Sequence, residues 1–285
     1  MIKKIAVLFI FIILITGCRE NRVETINPSP TPVSTEKASQ KLPEMKIMIM
    51  KAGKADAIII SIDKQIMVID TAEKDDGAKI NAYLHEQGVN AVDYMIITHL
   101  DKDHIGGAAE VLSDIKVKNL IQSNNTENSK DFEAYIMACQ KSGVTPVMLT
   151  KPKEFSMGEA KIKLIPALKS KYKNDNDYTI MTEITYGEKR FLFAGDAMTE
   201  RLTEYMADDV SSFDFLKVPH HGVYCDMMPE FIKAVSPTYS VITCSDKDPP
   251  DEEVLKLLSE AKSKIFLTNR RFVSVTCDGI NLVVQ

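Results

Sequence analysis

The stretch Thr98-His99-Leu100-Asp101-Lys102-Asp103-His104-Ile105-Gly106-Gly107 decides how this chain is read. It follows a largely apolar run at 92–97, interrupted by Asp93, which reads as a buried strand, and turns abruptly polar at Thr98-His99. Four side chains able to bind a metal ion lie within six residues: His99, Asp101, Asp103 and His104. Alternate residues of an extended segment share one side, so His99, Asp101 and Asp103 converge, and His104 joins them as the chain turns into a helix. Gly106-Gly107 lets the backbone turn closely beneath them. Acidic residues stabilise the first turn of a helix in their own right, which explains the aspartates but not the flanking histidines. Metal binding explains both.

Four of the five histidines fall in two clusters; the second, Pro219-His220-His221-Gly222, follows a strand predicted at 215–218. A histidine pair in a loop carries no function by itself; beside the first cluster it becomes a candidate. The remaining histidine, His85, is expected on an exposed helix face.

Working outward, strands are predicted at 46–50, 57–62 and 65–69, the last two joined by a polar turn at Asp63-Lys64. A helix spans 75–88, with Ile80, Tyr83 and Leu84 as its inner stripe. Further elements are a helix at 105–112, a strand at 116–122, a helix at 129–142, and strands near 145–149 and 161–165. A second hairpin, 178–186 and 190–194, ends in Gly195-Asp196 and echoes the first, whose second strand ends in Asp70. The echo points to a duplicated β-rich half, with Asp70 read as a turn former. A helix to about 207, alternating elements through Val241 and Leu258, and strands near Ile265, Phe272 and Leu282 complete the chain. Hairpins followed by helices predict α/β layers with two mixed sheets, not a doubly wound parallel sheet.

Composition agrees with a globular domain: 285 residues, 45% hydrophobic and 26% charged. The net charge of −5 disfavours strong nonspecific nucleic-acid binding by bulk charge while leaving a local basic patch open. Lys161, Lys163, Lys169, Lys171 and Lys173 form a basic stretch ahead of Asn174 and are candidates for phosphate contact. No G-x-S-x-G elbow, P-loop or G-x-G-x-x-G fingerprint occurs.

The N-terminal end reads as an address. Lys3 and Lys4 precede an eleven-residue apolar run, 5–15, too short to span a bilayer comfortably but suited to a secretory signal. The ending Ile15-Thr16-Gly17-Cys18 resembles the lipobox of bacterial lipoproteins, which implies cleavage before Cys18 and a lipid on its sulfur. The expected organisation is a signal peptide at 1–17, a lipidated Cys18 with a Pro-rich disordered tether at 18–44, and one folded domain at 45–285. The resemblance implies an exported protein lipid-anchored to the outer face of the cell membrane. Cys139, Cys225, Cys244 and Cys277 have no C-x-x-C pair, which argues against structural zinc and leaves disulfides or, in preference, buried thiols.

His99-x-Asp101-x-Asp103-His104 resembles the H-x-[HD]-x-D-H signature of the metallo-β-lactamase superfamily, in particular the hydrolase domain of bacterial competence DNA-uptake channel proteins. Further elements come in that family's order: Ala52-Gly53-Lys54-Ala55-Asp56-Ala57, Asn174-Asp175-Asn176-Asp177, Gly195-Asp196-Ala197 and Lys217-Val218-Pro219-His220-His221-Gly222. Asp177 and Val223 stand where that family usually has Ser, and Lys54-Ala55 alter the glycine-rich opening. The resemblance implies an αββα four-layer sandwich with two mixed sheets and two divalent metal ions. It assigns His99 and Asp101 to one ion, Asp103 and His104 to the other, Asp196 as a bridge and His220 as the completing ligand. His221 is an alternative ligand or a proton donor to the leaving group; Asp103 and His221 are the residues assigned to the reaction itself.

Asp101 replaces the histidine of typical zinc members, so the oxygen-rich site favours Mn²⁺ or Mg²⁺ over Zn²⁺. Such a centre suits phosphodiester hydrolysis, on nucleic acid or nucleotides, better than opening of a β-lactam, lactone or thioester. A protein that keeps the fold and metal but only binds is the alternative from another class.

Overall fold

The computed structural model describes residues 41–285; the apolar leader, Cys18 and the tether up to residue 40 lie outside the described residues. Strands β1 (Met45–Ile49), β2 (Ile58–Ile62) and β3 (Gln65–Ile69) pair antiparallel in that order. Ile58, Ile60 and Ile62 face one apolar core and Ile59 the opposite one, as in a sheet covered on both faces. A 3-10 turn leads into α1 (Gly77–Glu86), followed by β4 (Ala91–Ile97), α2 (Lys102–Ile105), α3 (Ala108–Asp114) and β5 (Lys116–Gln122). Next come α4 (Lys130–Ser142) and the two-residue β6 (Val147–Met148). Ser129 caps α4 by accepting the amide of Phe132, and Gly143 at φ 73° ends it, the pairing of polar N-cap and left-handed stop that sets helix length.

The second half contains β7 (Lys153–Met157), β8 (Ala160–Ile165), β9 (Met181–Tyr186), β10 (Lys189–Phe193) and α5 (Thr199–Tyr205). It continues through β11 (Phe215–Lys217), α6 (Met228–Val235), β12 (Tyr239–Ile242), α7 (Glu252–Glu260) and β13 (Lys264–Leu267). The chain then returns to the first sheet as β14 (Val273–Cys277) and β15 (Leu282–Val284).

The first sheet runs β15-β14-β1-β2-β3-β4-β5-β6 and the second β13-β12-β11-β10-β9-β8-β7. In each, two antiparallel pairings are followed by three parallel ones: β1 to β6 in the first, β8 to β13 in the second. The duplication suggested by the two hairpins is thus a repeated strand plan. One apolar core lies between the sheets and joins Ile47, Ile60 and Met67 to Ile162, Phe191 and Phe215. A second lies under α1, α3 and α4, and a third under α5, α6 and α7. Three cores between four layers make the αββα sandwich.

Some local expectations shift. The helix predicted at 105–112 is two helices, because α2 ends at Ile105 and the chain redirects at Gly106-Gly107. A Cβ on Gly107 would collide with the carbonyl oxygen of Thr71, so only glycine permits that close approach. The strand near 145–149 contracts to two residues, and β7 appears where no strand was predicted. Lys153-Glu154-Phe155-Ser156-Met157 lacks a β-branched pattern and is held by its antiparallel partner β8. All four cysteines of the domain are free and buried. No helix among the described residues is long and apolar enough to cross a membrane.

Candidate metal centre

The parallel strands of both sheets end at one shared edge, where the loops after β3, β4, β10 and β11 meet. Among the described residues, four of the eight non-glycine positions with left-handed backbone lie here: Asp70 (φ 59°), Ala72 (φ 56°), His220 (φ 44°) and His221 (φ 56°). Such conformations cost on the order of 1–3 kcal/mol each and persist only where surrounding structure enforces them.

Three buried histidines share one wiring. His99 has Nδ1 3.2 Å from the Thr98 hydroxyl, which itself donates to Asp70 Oδ2 at 2.7 Å. His104 has Nδ1 2.8 Å from Asp70 Oδ2. His221 has Nδ1 2.9 Å from Thr243 Oγ1, whose hydroxyl donates to Asp56 Oδ1 at 2.6 Å. With an acceptor at each Nδ1, the proton belongs there and Nε2 carries a bare lone pair. The Nε2 atoms of His99, His104 and His221 are three of the six buried side-chain polar atoms without a hydrogen-bond partner among the described residues. Leaving such atoms unpaired costs about 1–3 kcal/mol apiece. Three at one place fit a site that binds a cation.

The carboxylates complete it. Asp196 Oδ2 lies 2.9 Å from His221 Nε2 and 3.3 Å from His104 Nε2, without hydrogen-bond geometry to either. Asp103 Oδ2 is 3.8 Å from His221 Nε2. Asp103, His104, Asp196 and His221 each offer a ligand atom, all within 4.8 Å of one another. Beside them, Asp101 Oδ2 stands 3.8 Å from His99 Nε2, and the His99 and His104 rings are 4.0 Å apart. An oxygen and an imidazole lone pair at these separations repel unless a proton or metal ion lies between them. The donor set of carboxylates and imidazoles therefore fits a divalent metal.

The carboxylates favour positive charge at this place, carried either by a proton on an imidazole or by a metal ion. Burial opposes charge on His104, but Asp196 and Asp70 outweigh it and hold its pKa well above the ordinary imidazole range. Burial works to raise the pKa of Asp196, yet His221, His104 and Lys217 keep it well below the usual carboxylate range. Burial, then the positive field of His104, pushes His99 well below. Burial raises Asp101, which is only partly covered.

His220 is placed differently from the other predicted ligands. Its Nε2 lies 3.0 Å from the Asn176 side-chain amide and its Nδ1 2.9 Å from Met198 Sδ, outside the group around Asp196. Burial pulls its pKa down to about 4. The tight left-handed turn at 220–221 aims the second histidine inward and the first sideways.

Four residues here were not read from the sequence as site residues. Asp70 is no turn former: both its oxygens are engaged, by the Thr98 amide and hydroxyl and by His104. Asp56, Thr243 and Lys217 form the support behind His221 and Asp196. Asp56 and Lys217 stand in sequence elements that resemble the family's, without a role assigned there, while Asp70 and Thr243 offered only the common signal of a polar residue at a strand end. The Asp177 carboxylate accepts the amides of Met198 and Arg201 and so caps the start of α5. Of the basic stretch, Lys161 and Lys163 lie on β8 opposite Thr185 and Glu183, and Lys169 pairs with Glu200 at 2.7 Å. They serve the outer sheet face and α5, while Lys171 and Lys173 stay exposed.

Two stacked mixed sheets, helices outside and a His/Asp cluster at their common edge define a metal-dependent hydrolase fold. Residues 50–245 match the family described as Metallo-beta-lactamase superfamily, and the chain belongs to it. It is 24% identical over 193 residues to ComE operon protein 3 of Bacillus subtilis, covering 66% of this chain and 25% of that protein. It is 20% identical over 231 residues to Recombination protein 2 of Haemophilus influenzae, covering 78% of this chain and 27% of that protein. The chain thus spans about a quarter of the length of these relatives. The solved metallo-beta-lactamase fold protein YhfI of Bacillus subtilis shares the fold, with a TM-score of 0.53 and 10% identity over 85% of this chain and 100% of that one.

Proposed function

We propose that this chain is an exported, lipid-anchored phosphodiesterase that acts on nucleic acid or nucleotides through two divalent metal ions. The observation that carries this reading is the convergence of the unpartnered Nε2 atoms of His104 and His221 on Asp196 and Asp103, with that of His99 beside Asp101. Asp103, His104, Asp196 and His221 would hold one ion, and His99 with Asp101 an adjoining one. Bound there, divalent ions would lower the pKa of water toward about 7 and neutralise charge on a phosphoryl oxygen.

Charge supports divalent ions: the carboxylates of Asp56, Asp70, Asp101, Asp103 and Asp196 outnumber the one buried ammonium among them, Lys217, and cations offset the excess. Oxygen-rich ligation supports Mn²⁺ or Mg²⁺ in preference to Zn²⁺. For substrate, the edge carries cations: Lys54 acts electrostatically on His220, and Arg270 and Arg271 follow β13 at the carboxyl end of the parallel strands. Both arginines are exposed and lack carboxylate partners among the described residues, unlike Arg190 and Arg201. The match to Recombination protein 2 and the likeness to DNA-uptake hydrolase domains point the same way. The resemblance of Ile15-Thr16-Gly17-Cys18 to a lipobox supports the anchor.

The test is hydrolysis of a chromogenic phosphodiester by the purified full chain, stripped of metal and resupplied with Mn²⁺, Mg²⁺ or Zn²⁺. Activity should require metal and vanish in Asp103→Asn. Inactivity with every metal would transfer preference to acyl-ester substrates or to a binding role. Separately, Cys18→Ser should release the protein from the membrane fraction of expressing bacteria; continued sedimentation with membranes would count against the anchor.

A further inference from the structure

The interior behind the cluster holds a charged device that the reaction as described does not use. Lys217 is fully buried, an unusual place for an ammonium. Its Nζ contacts Asp56 Oδ2, the Gly195 carbonyl oxygen at 3.1 Å and Asp196 Oδ1 at 3.4 Å. Three acceptors match its three N–H donors. Burial disfavours its charge, but Asp56 and then Asp196 keep its pKa raised.

Asp56 is the hub of the arrangement. One oxygen meets Lys217; the other accepts the Thr243 hydroxyl, which in turn meets His221 Nδ1. Its backbone amide donates to the Asp103 carbonyl oxygen at 3.1 Å, and its own carbonyl accepts the amide of Ala72. Asp56 stands in the loop between β1 and β2, in the first half of the chain. Its side chain reaches two residues, Lys217 and Thr243, that belong to the second.

We infer that Asp56 is a positioning residue for the metal centre: through Lys217 it fixes Asp196, and through Thr243 it fixes His221. Because Lys217 engages Oδ1, Asp196 presents Oδ2 alone to His104 and His221. Because Thr243 engages Nδ1, His221 presents Nε2. The two ligands from the second half are thereby set as one unit by a carboxylate from the first. This rests on the metal-binding reading above, and it differs from a purely structural ion pair in a measurable way. Outer partners of ligands typically alter metal affinity by about 10- to 100-fold. Breaking a buried ion pair by removing one partner is strongly destabilising, whereas removing both is tolerated far better.

The experiment compares Asp56→Asn, Lys217→Met and the double variant in the full chain, with Mn²⁺ binding by titration calorimetry, metal content by elemental analysis and thermal unfolding. Lys217→Met should unfold at a much lower temperature, and the double variant should recover most of that loss. Mn²⁺ affinity of the double variant should remain weaker by about tenfold or more, with metal content at saturation unchanged. A double variant that binds Mn²⁺ as tightly as the native chain overturns the inference and leaves the pair structural.

Thr243→Val decides the matter if the double variant fails to fold, since it removes only a hydroxyl. Its affinity should fall by about tenfold while Thr243→Ser keeps the native value. Native affinity in Thr243→Val overturns the inference. A native chain that binds no divalent ion would instead overturn the metal reading beneath it.

Discussion

The two halves of this molecule follow one strand plan and end differently at the edge they share. On the first sheet the Asp70 amide donates to the Ile96 carbonyl of the adjacent parallel strand; on the second, the Ala194 amide donates to Lys217. By that register Asp70 corresponds to Ala194, and Asp196 lies two residues farther out. Asp70 therefore stays at the end of the ladder, where Thr98 and His104 occupy both its oxygens. Asp196 passes beyond the ladder, with Oδ2 turned to two imidazoles.

The histidines repeat the lesson. His99 and His220 are both three residues past equivalent partners, Ile96 and Lys217. His99 is buried beside His104, whereas His220 turns toward Asn176 and yields the inward place to His221. Position relative to the end of the ladder, more than residue type, sets what each side chain does.

The largest effect expected from this comparison separates the two aspartates. Asp196→Asn should abolish metal-dependent turnover, because it replaces a ligand oxygen in the centre. Asp70→Asn should bind metal about 10- to 100-fold more weakly yet recover activity at high metal concentration, as befits a residue that only orients His104. Titrating both variants with Mn²⁺ decides this; recovery of Asp196→Asn, or none in Asp70→Asn, would break the distinction.

Next in size is the histidine pair. His221→Ala should lose metal affinity, whereas His220→Ala should keep its metal content and change KM or kcat only. Elemental analysis of the two purified variants separates them. Equal metal loss in both would restore His220 to the shell.

The smallest effect concerns His85, the histidine outside the shared edge. It is exposed, and its Nε2 lies 2.7 Å from Asp114 Oδ2, whose hydrogen bond raises its pKa above the ordinary value. A raised folded pKa means that the pair stabilises the protein fully below the unfolded imidazole pKa, about 6.5. That contribution disappears as pH rises through the higher folded value. His85→Gln should thus lower the unfolding temperature slightly at pH 5 and not at pH 9. A drop of equal size at both pH values would refute the assignment.

The sequence by itself determined the class of the fold and most of the strands. Apolar runs such as 94–97 and the isoleucine-rich 57–62 can be buried on both faces only within a covered sheet. The hairpin echo at Asp70 and Asp196 already hinted at two related halves. The cluster His99, Asp101, Asp103 and His104 was legible because its residues are close in the chain. What the sequence could not convey was register, since a parallel ladder joins strands separated by a helix and no local pattern specifies the offset. Tertiary structure alone decided that Asp196 projects two residues past the place of Asp70, and that His221 faces inward instead of His220. It alone joined Asp56 to Lys217 and Thr243, residues 161 or more positions apart in sequence. A buried charge is stable only where its partners converge, and convergence is a property of the folded sheets and not of any stretch of chain.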